Sequence, residues 1–375
     1  MNFIPTEDQR SLIDLAAKAN RQWLAPITEK DDEEGRFRRE IISELGKLGL
    51  TGISTPAEYD GAGLGCLENA LAMEELSSGG VAYAISIGVS GLAQLILNSF
   101  GTEAQKRKYI PKLAVGEHIG AFSLTESGSG SDAAALKTRA EKGDGEYVIS
   151  GTKLFTTQGN IADTMVVFAR TGAEGSKGIS AFVVEKGMAG VRTGKLEHKM
   201  GARISPTCEM IFENVRVPAE NLLGREGDGF KIALTALDSG RINIGAIAVG
   251  LARGALEFAV KYSSERKQFG RAIRDFQGIQ FMLADMYAAL EASRLLVQRA
   301  SSLKDAGLPF TREAATAKFF ATDSAMKITT DAVQILGGCG YMKEYPVERY
   351  MREAKVLQIV EGTNQIQRML VGRSL

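Results

Sequence analysis

Glu361 is the residue of this chain best suited to proton chemistry. It lies in Gln358-Ile359-Val360-Glu361-Gly362-Thr363-Asn364-Gln365-Ile366-Gln367-Arg368, after an apolar run, before a glycine and ahead of what reads as a short amphipathic helix. A carboxylate desolvated by Ile359 and Val360 gains proton affinity, and the glycine leaves it room to move; both suit a general base. The plainer alternative is a solvated carboxylate before a helix that Thr363 caps. A second stretch, Leu124-Thr125-Glu126-Ser127-Gly128-Ser129-Gly130-Ser131-Asp132, offers hydroxyls and backbone N–H groups with few side chains in the way. The two together suggest a base facing an electron-accepting cofactor.

Other motifs each carry two readings. Gly128-Ser129-Gly130-Ser131-Asp132-Ala133 fits the relaxed dinucleotide fingerprint G-x-G-x-x-A. That fingerprint needs a strand before it and a long helix after it, whereas Lys137-Thr138-Arg139-Ala140 leads into a hairpin. A polar surface turn and a loop laid against a flat heterocycle stay open. In Thr152-Lys153-Leu154-Phe155-Thr156-Thr157-Gln158-Gly159, Phe155 reads first as a core aromatic and second as the cover of an isoalloxazine face, with Thr157 at the ring edge. Glu265-Arg266-Lys267-Gln268-Phe269-Gly270 ends a helix, where the dipole favours cations; Arg266 there could equally clamp a pyrophosphate.

The 375 residues of the chain suffice for two or three domains. Lys+Arg 45 balances Asp+Glu 45, which argues against nucleic acid as the main partner. Cys66, Cys208 and Cys339 are scattered and the histidines are two, so no metal site, disulfide framework or Ser-His-Asp triad is expected. There is no leader pattern and no apolar stretch of membrane-spanning length is expected. The default is a soluble cytoplasmic protein; a mitochondrial matrix protein that had lost its transit peptide would read the same.

The elements that must position Glu361 and the Gly-Ser loop fall into three blocks, an α+β organisation. Residues 1–118 read as an all-helical domain. It has a capping box at Thr6-Glu7-Asp8-Gln9, Pro26 after the first helix, and Asp31-Asp32-Glu33-Glu34 before Arg36, Arg38 and Arg39 as a solvated helix start. A largely apolar helix from Val81 to Phe100 is expected to be buried. Residues 119–225 alternate β-branched runs with Gly-Asp-Asn-Ser clusters and carry the hairpin signal Gly143-Asp144-Gly145, so they read as an antiparallel β-domain. Residues 226–375 return to helical period, with Thr311 as a helix start and Gly337-Gly338 as its stop, and read as an antiparallel bundle.

In their order and context these segments resemble the acyl-CoA dehydrogenase family, especially its short-chain and broad bacterial members. The likeness runs through Glu58–Gly65, Leu124–Asp132, Gly151–Gly159, Glu265–Gly270, Gln334–Tyr341 and Glu361–Arg368, and so spans the whole chain. It implies a C-terminal four-helix bundle, a homotetramer (a dimer of dimers) and bound FAD. Phe122, Leu124, Thr125, Phe155 and Thr157 match positions around the flavin, and Ser131, Arg241 and Gly362 match positions toward the acyl-CoA. Arg266, Gln268, Phe269, Gln334 and Gly338 match positions holding pyrophosphate and adenosine, partly across a subunit boundary, and Thr363 and Gln365 match further FAD contacts. No metal is implied.

Glu361 matches the catalytic base. The resemblance implies α,β-dehydrogenation of a short- to medium-chain, straight or branched acyl-CoA: Glu361 takes the pro-R α-proton, hydride leaves to flavin N5, and electrons pass to an electron-transfer flavoprotein. Phe155 stands where the family usually has tryptophan, Ser127 where it has proline, Gln158 where it has asparagine and Val360 where it has tyrosine. Gly240 stands where the isovaleryl branch carries its base, which strengthens Glu361. An oxygen-using acyl-CoA oxidase and a non-catalytic helical scaffold are the alternatives on the same fold.

Overall fold

The computed structural model describes residues 4–375. Helix α1 (Glu7–Ala19) begins at the expected capping box: Gln9 N donates to Thr6 Oγ1 at 3.2 Å and Thr6 N to Gln9 Oε1 at 3.0 Å. One wider helical turn, Asn20–Leu24, carries the chain directly into α2 (Ala25–Glu34). Pro26 follows α1, as expected, and sits in the first turn of α2, where its missing N–H costs little.

The acidic run differs from expectation. It ends α2 rather than starting a helix, and Asp31 and Asp32 are buried. Asp31 accepts from Arg38 Nη2 at 2.8 Å, while Asp32 accepts from Arg203 N at 2.9 Å and Arg352 Nη1 at 3.2 Å. Buried carboxylates require such partners. Asp32 thereby ties the first helices to both later parts of the chain. Helices α3 (Arg39–Lys47), α4 (Cys66–Ser77), α5 (Ala82–Phe100) and α6 (Glu103–Ala114) complete the N-terminal part.

The middle part is one eight-stranded sheet: β1 (Gly120–Ser123), β2 (Arg139–Lys142), β3 (Glu146–Thr157), β4 (Thr164–Arg170), β5 (Ile179–Glu185), β6 (Val191–Leu196), β7 (Thr207–Pro218) and β8 (Leu222–Leu223). Its order is β6-β7-β3-β2-β4-β5-β8, with β1 beside β4. Most pairings are antiparallel as expected, but β1 and β2 each run parallel to β4. At the Gly143-Asp144-Gly145 turn, Gly143 N donates to Glu146 O at 2.8 Å. The β3–β7 register breaks between Lys153 and Thr156, and Phe155 lies in that break with φ 54°.

The third part opens with α7 (Gly229–Glu265), followed by a small hairpin, β9 (Lys267–Gln268) and β10 (Arg271–Ala272). Helices α8 (Gln277–Asp305), α9 (Thr311–Leu336), α10 (Val347–Leu357) and α11 (Asn364–Ser374) follow. Helix α7 packs against α4, α5, α8 and α9, so it is apolar on nearly every side. A Cβ at Gly254 would stand 1.8 Å from Ser78 O, so glycine lets the end of α4 reach the α7 backbone. Contrary to the sequence expectation, α5 and α7 are each long and apolar enough to cross a membrane. Here both are largely covered by protein, α5 against α6, α7 and β1.

Candidate active site

The turn between α10 and α11 holds Glu361 in the left-handed region, φ 53°, followed by Gly362 at φ 92°. Thr363 caps α11, accepting from Ile366 N at 3.4 Å. The capping role and the carboxylate's proximity to the core therefore coexist. The backbone of the turn is tied through its carbonyls. Gln367 Nε2 donates to Glu361 O at 3.2 Å and to Gly362 O at 2.9 Å, and Lys318 Nζ donates to Gly362 O at 2.9 Å.

The carboxylate lies against α7 at Gly240, where a Cβ would stand 1.6 Å from Oε2. Oε2 is buried and has no hydrogen-bond partner among the described residues. Burial pushes the carboxyl pKa up to about 7, against the downward pull of Lys318 and Arg241. The expected source of that dryness was wrong in part. Ile359 is 52% exposed and Val360 is only half-buried, so α7 supplies the cover.

Two cations flank the base. Arg241, on α7, is buried; its guanidinium pairs with Asp238, and its Nε has no partner among the described residues. Burial lowers the Arg241 pKa from its ordinary value, Asp238 and Glu361 opposing the shift. Lys318, on α9, is fully buried and also donates to Asn364 Oδ1 at 3.0 Å. The sequence reading missed Lys318. Its signal was a lysine on the small-residue stripe Ala314, Ala317, Ala321, Ala325, the face that α9 buries.

Beside Gly240 a cleft opens between α5 and α7, enclosing about 700 Å³ up to and including its open mouth. Gly88, Gly91 and Leu95 line one side, Ser239 and Asn243 the other, and the Thr51–Thr55 segment adds a third. Asn69 Nδ2 donates to Asn243 Oδ1 at 3.3 Å, so one wall is polar.

The Gly-Ser loop is anchored from below. Lys153, on β3, is fully buried and donates to Leu124 O at 3.0 Å and Glu126 Oε1 at 2.8 Å. Glu126 also accepts from Lys137 N at 2.6 Å and Thr138 N at 2.9 Å. Burial alone would raise the Glu126 pKa, but Lys153 and these donors hold it below its ordinary value. The sequence reading missed this pair too.

Leu154 N donates to Thr125 O at 2.8 Å, which sets the loop beside β3. Leu124 is buried, Thr125 and Thr157 are half-buried, and Phe122 packs on Phe168 with ring centroids 5.0 Å apart. The core reading of Phe155 is overturned: the ring is 60% exposed, because the register break turns it out of the sheet. An exposed aromatic on a non-glycine positive-φ residue, next to Thr157 and an anchored loop, fits a flat cofactor. Ser131 is exposed, and a Cβ at Gly128 or Gly130 would meet nothing within 4 Å.

Arg266, Gln268 and Phe269 are exposed at the β9–β10 hairpin, with Phe269 at φ 52° and 93% exposed. Gln334 and Gly338 are exposed at the end of α9. Arg266 lies near enough to Cys339 to help lower its thiol pKa, behind Tyr262 and Tyr345, so these two groups share one end of the bundle. Among the described residues, no hydrogen bond or ion pair joins them to the Gly-Ser loop. Gln365 is exposed in the first turn of α11.

Three family models match in succession: the acyl-CoA dehydrogenase N-terminal domain over residues 6–117, the middle domain over 121–215 and the C-terminal domain over 227–375. A short-chain-specific acyl-CoA dehydrogenase of Clostridium acetobutylicum is 47% identical, the match covering 99% of this chain and 98% of that protein. The structure of butyryl-CoA dehydrogenase from Megasphaera elsdenii is 46% identical with TM-score 0.98, covering 100% of this chain and 99% of that one. A chain solved in work on the electron transferring flavoprotein of Acidaminococcus fermentans is 50% identical with TM-score 0.98 and the same coverage.

Proposed function

Because the chain belongs to the acyl-CoA dehydrogenase family, we propose that Glu361 is the base that takes the α-proton of an acyl-CoA thioester seated in the cleft beside Gly240. The reaction is FAD-dependent α,β-dehydrogenation, with electrons passed to an electron-transfer flavoprotein. FAD, when bound, supplies the hydride acceptor. The remaining chemistry falls to the chain's own residues.

A thioester α-proton is weakly acidic, so its removal needs a base near neutrality and a donor for the carbonyl oxygen. The Glu361 carboxyl, raised to about 7, meets the first need, and its Oε2 has no bond to break before it accepts a proton. The Glu361 backbone N–H, in the left-handed turn, donates to no protein acceptor among the described residues and is free for the carbonyl. The observation carrying this reading is Gly240 on α7, which lines the cleft and also lies against the buried, unpartnered Oε2.

Leu124, Thr125, Phe155 and Thr157, with Phe122 behind them, would hold the isoalloxazine. Arg266, Gln268, Phe269, Gln334 and Gly338 would hold pyrophosphate and adenosine, and their exposure supports a cofactor shared across a subunit boundary. Thr363 and Gln365 would add contacts near the base. Ser131 and Gly362 are assigned to the acyl-CoA, and Arg241, buried with Asp238, to the field around the base. Exposed Phe281, Tyr287 and Leu295 along α8 support the homotetramer. A short acyl chain and a cytoplasmic setting complete the proposal.

Anaerobic titration with a panel of acyl-CoA thioesters tests it. Bleaching of the flavin by short chains is expected; a flavin that stays yellow with every thioester would refute the assignment. Peroxide produced during turnover without added acceptor would shift the reading to an oxidase.

A further inference from the structure

Lys318 is a fully buried cation with no carboxylate within ion-pair range among the described residues. An ammonium in that position is costly unless its donors are used, and they are. One reaches Gly362 O at 2.9 Å, the carbonyl next to the base, and another reaches Asn364 Oδ1 at 3.0 Å. Asn364 in turn donates to Thr322 Oγ1 at 2.9 Å and Asp323 Oδ1 at 2.7 Å. Asp323 is held by Arg368 at 2.6 Å. The chain of contacts runs from α9 through the turn to α11 and fixes the segment in which Glu361 adopts its left-handed backbone.

We propose that Lys318 is the positioning residue of the base: its ammonium pins the Glu361–Gly362 turn through the Gly362 carbonyl and supplies the positive charge beside which the carboxylate accepts its proton. This rests on the reading of Glu361 as the base. The charged groups facing the pair are Arg241, with its partner Asp238, from α7, and Asp323, with its partner Arg368, from α9 and α11. Burial, helped by Arg241, brings the Lys318 pKa down to about 7, while Glu361 and Asp323 pull it up.

The test compares Lys318→Gln, which keeps a donor and loses the charge, with Lys318→Met, which loses both, and with Lys318→Arg, which keeps the charge. The readouts are FAD content and the pH profile of single-turnover flavin bleaching. Removing the positive charge makes Glu361 harder to ionise, so the bleaching midpoint should rise by ~1 pH unit or more in the Gln and Met variants and stay near wild type in Arg. The Met variant should also lose ~10-fold or more on the high-pH plateau as the turn loosens. Wild-type midpoints in both neutral variants would overturn the proposal.

Should the neutral variants fail to fold, a crystal structure of the wild-type holoenzyme with a non-reacting acyl-CoA thioether decides. Lys318 Nζ within ~3.2 Å of Gly362 O supports the role, and an ammonium turned away from the turn overturns it. A wild type that binds FAD yet never bleaches would refute the reaction assignment, while the same crystal structure still judges Lys318.

Discussion

The Glu361 carboxylate fills the space that a side chain at Gly240 would need. A Cβ on Gly240 would stand 1.6 Å from Oε2 and 2.5 Å from the carboxyl carbon, far inside contact distance. The helix that covers the base therefore accepts only glycine at this point if Glu361 is to stay where it is. Gly240→Ala should displace the carboxylate and lower the bleaching rate by ~100-fold or more, the scale of general-base catalysis. FAD content should be unchanged, since Gly240 is remote in role from the flavin loop. Single-turnover bleaching together with the flavin-to-protein absorbance ratio checks both halves.

The raised carboxyl pKa fixes the direction of two pH effects. Activity needs the ionised base, so kcat/KM should climb with pH through about 7 and level off above it. Stability goes the other way. Between 4.5 and about 7 the folded protein keeps a proton on Glu361 that the unfolded chain releases, so this group's contribution is present in acid and lost as pH rises through about 7. Glu361→Gln does not titrate. Its Tm advantage over wild type should grow between pH 5 and pH 8, and a constant Tm difference would contradict the burial argument.

The pair Lys153–Glu126 lies under the Gly-Ser loop, with Lys153 fully buried and Glu126 9% exposed. Lys153→Met leaves a buried carboxylate without its cation, a loss of about 3–5 kcal/mol in comparable cases. The variant should melt at lower temperature and shed FAD on dialysis. Adding Glu126→Gln should recover part of the loss, because the stranded charge disappears. Thermal melts and flavin content of the two single variants and the double variant measure this.

Arg266 is exposed and carries no ion pair among the described residues, so its removal should hardly disturb the fold. If it holds pyrophosphate, Arg266→Ala should keep its apoprotein stability and lose FAD during dialysis. Unchanged flavin occupancy would count against that role.

Much of this arrangement was legible in the residues. Capping at Thr6, the Gly143–Gly145 hairpin and the stop at Gly337 are local, and local chemistry decides them. What escaped was decided by distant partners. Asp31 and Asp32 look like surface acids until Arg38, Arg203 and Arg352 are placed around them. Phe155 alternates like a core residue until the register break with β7 turns it outward. At the site, Glu361 stood out, but the reason for its dryness did not. The neighbours in sequence were credited, whereas the cover comes from α7, some 120 residues earlier in the chain. Lys318, Lys153 and Glu126 were passed over because their burial follows only from packing.

The central claim is that Glu361 takes the α-proton, and Glu361→Gln tests it most directly. The amide is nearly isosteric and should leave FAD and acyl-CoA binding in place. Mixed anaerobically with a short-chain acyl-CoA that bleaches the wild type, the variant should reduce its flavin at least ~100-fold more slowly at every pH. Bleaching at a near-normal rate, with flavin content intact, would remove Glu361 from the reaction.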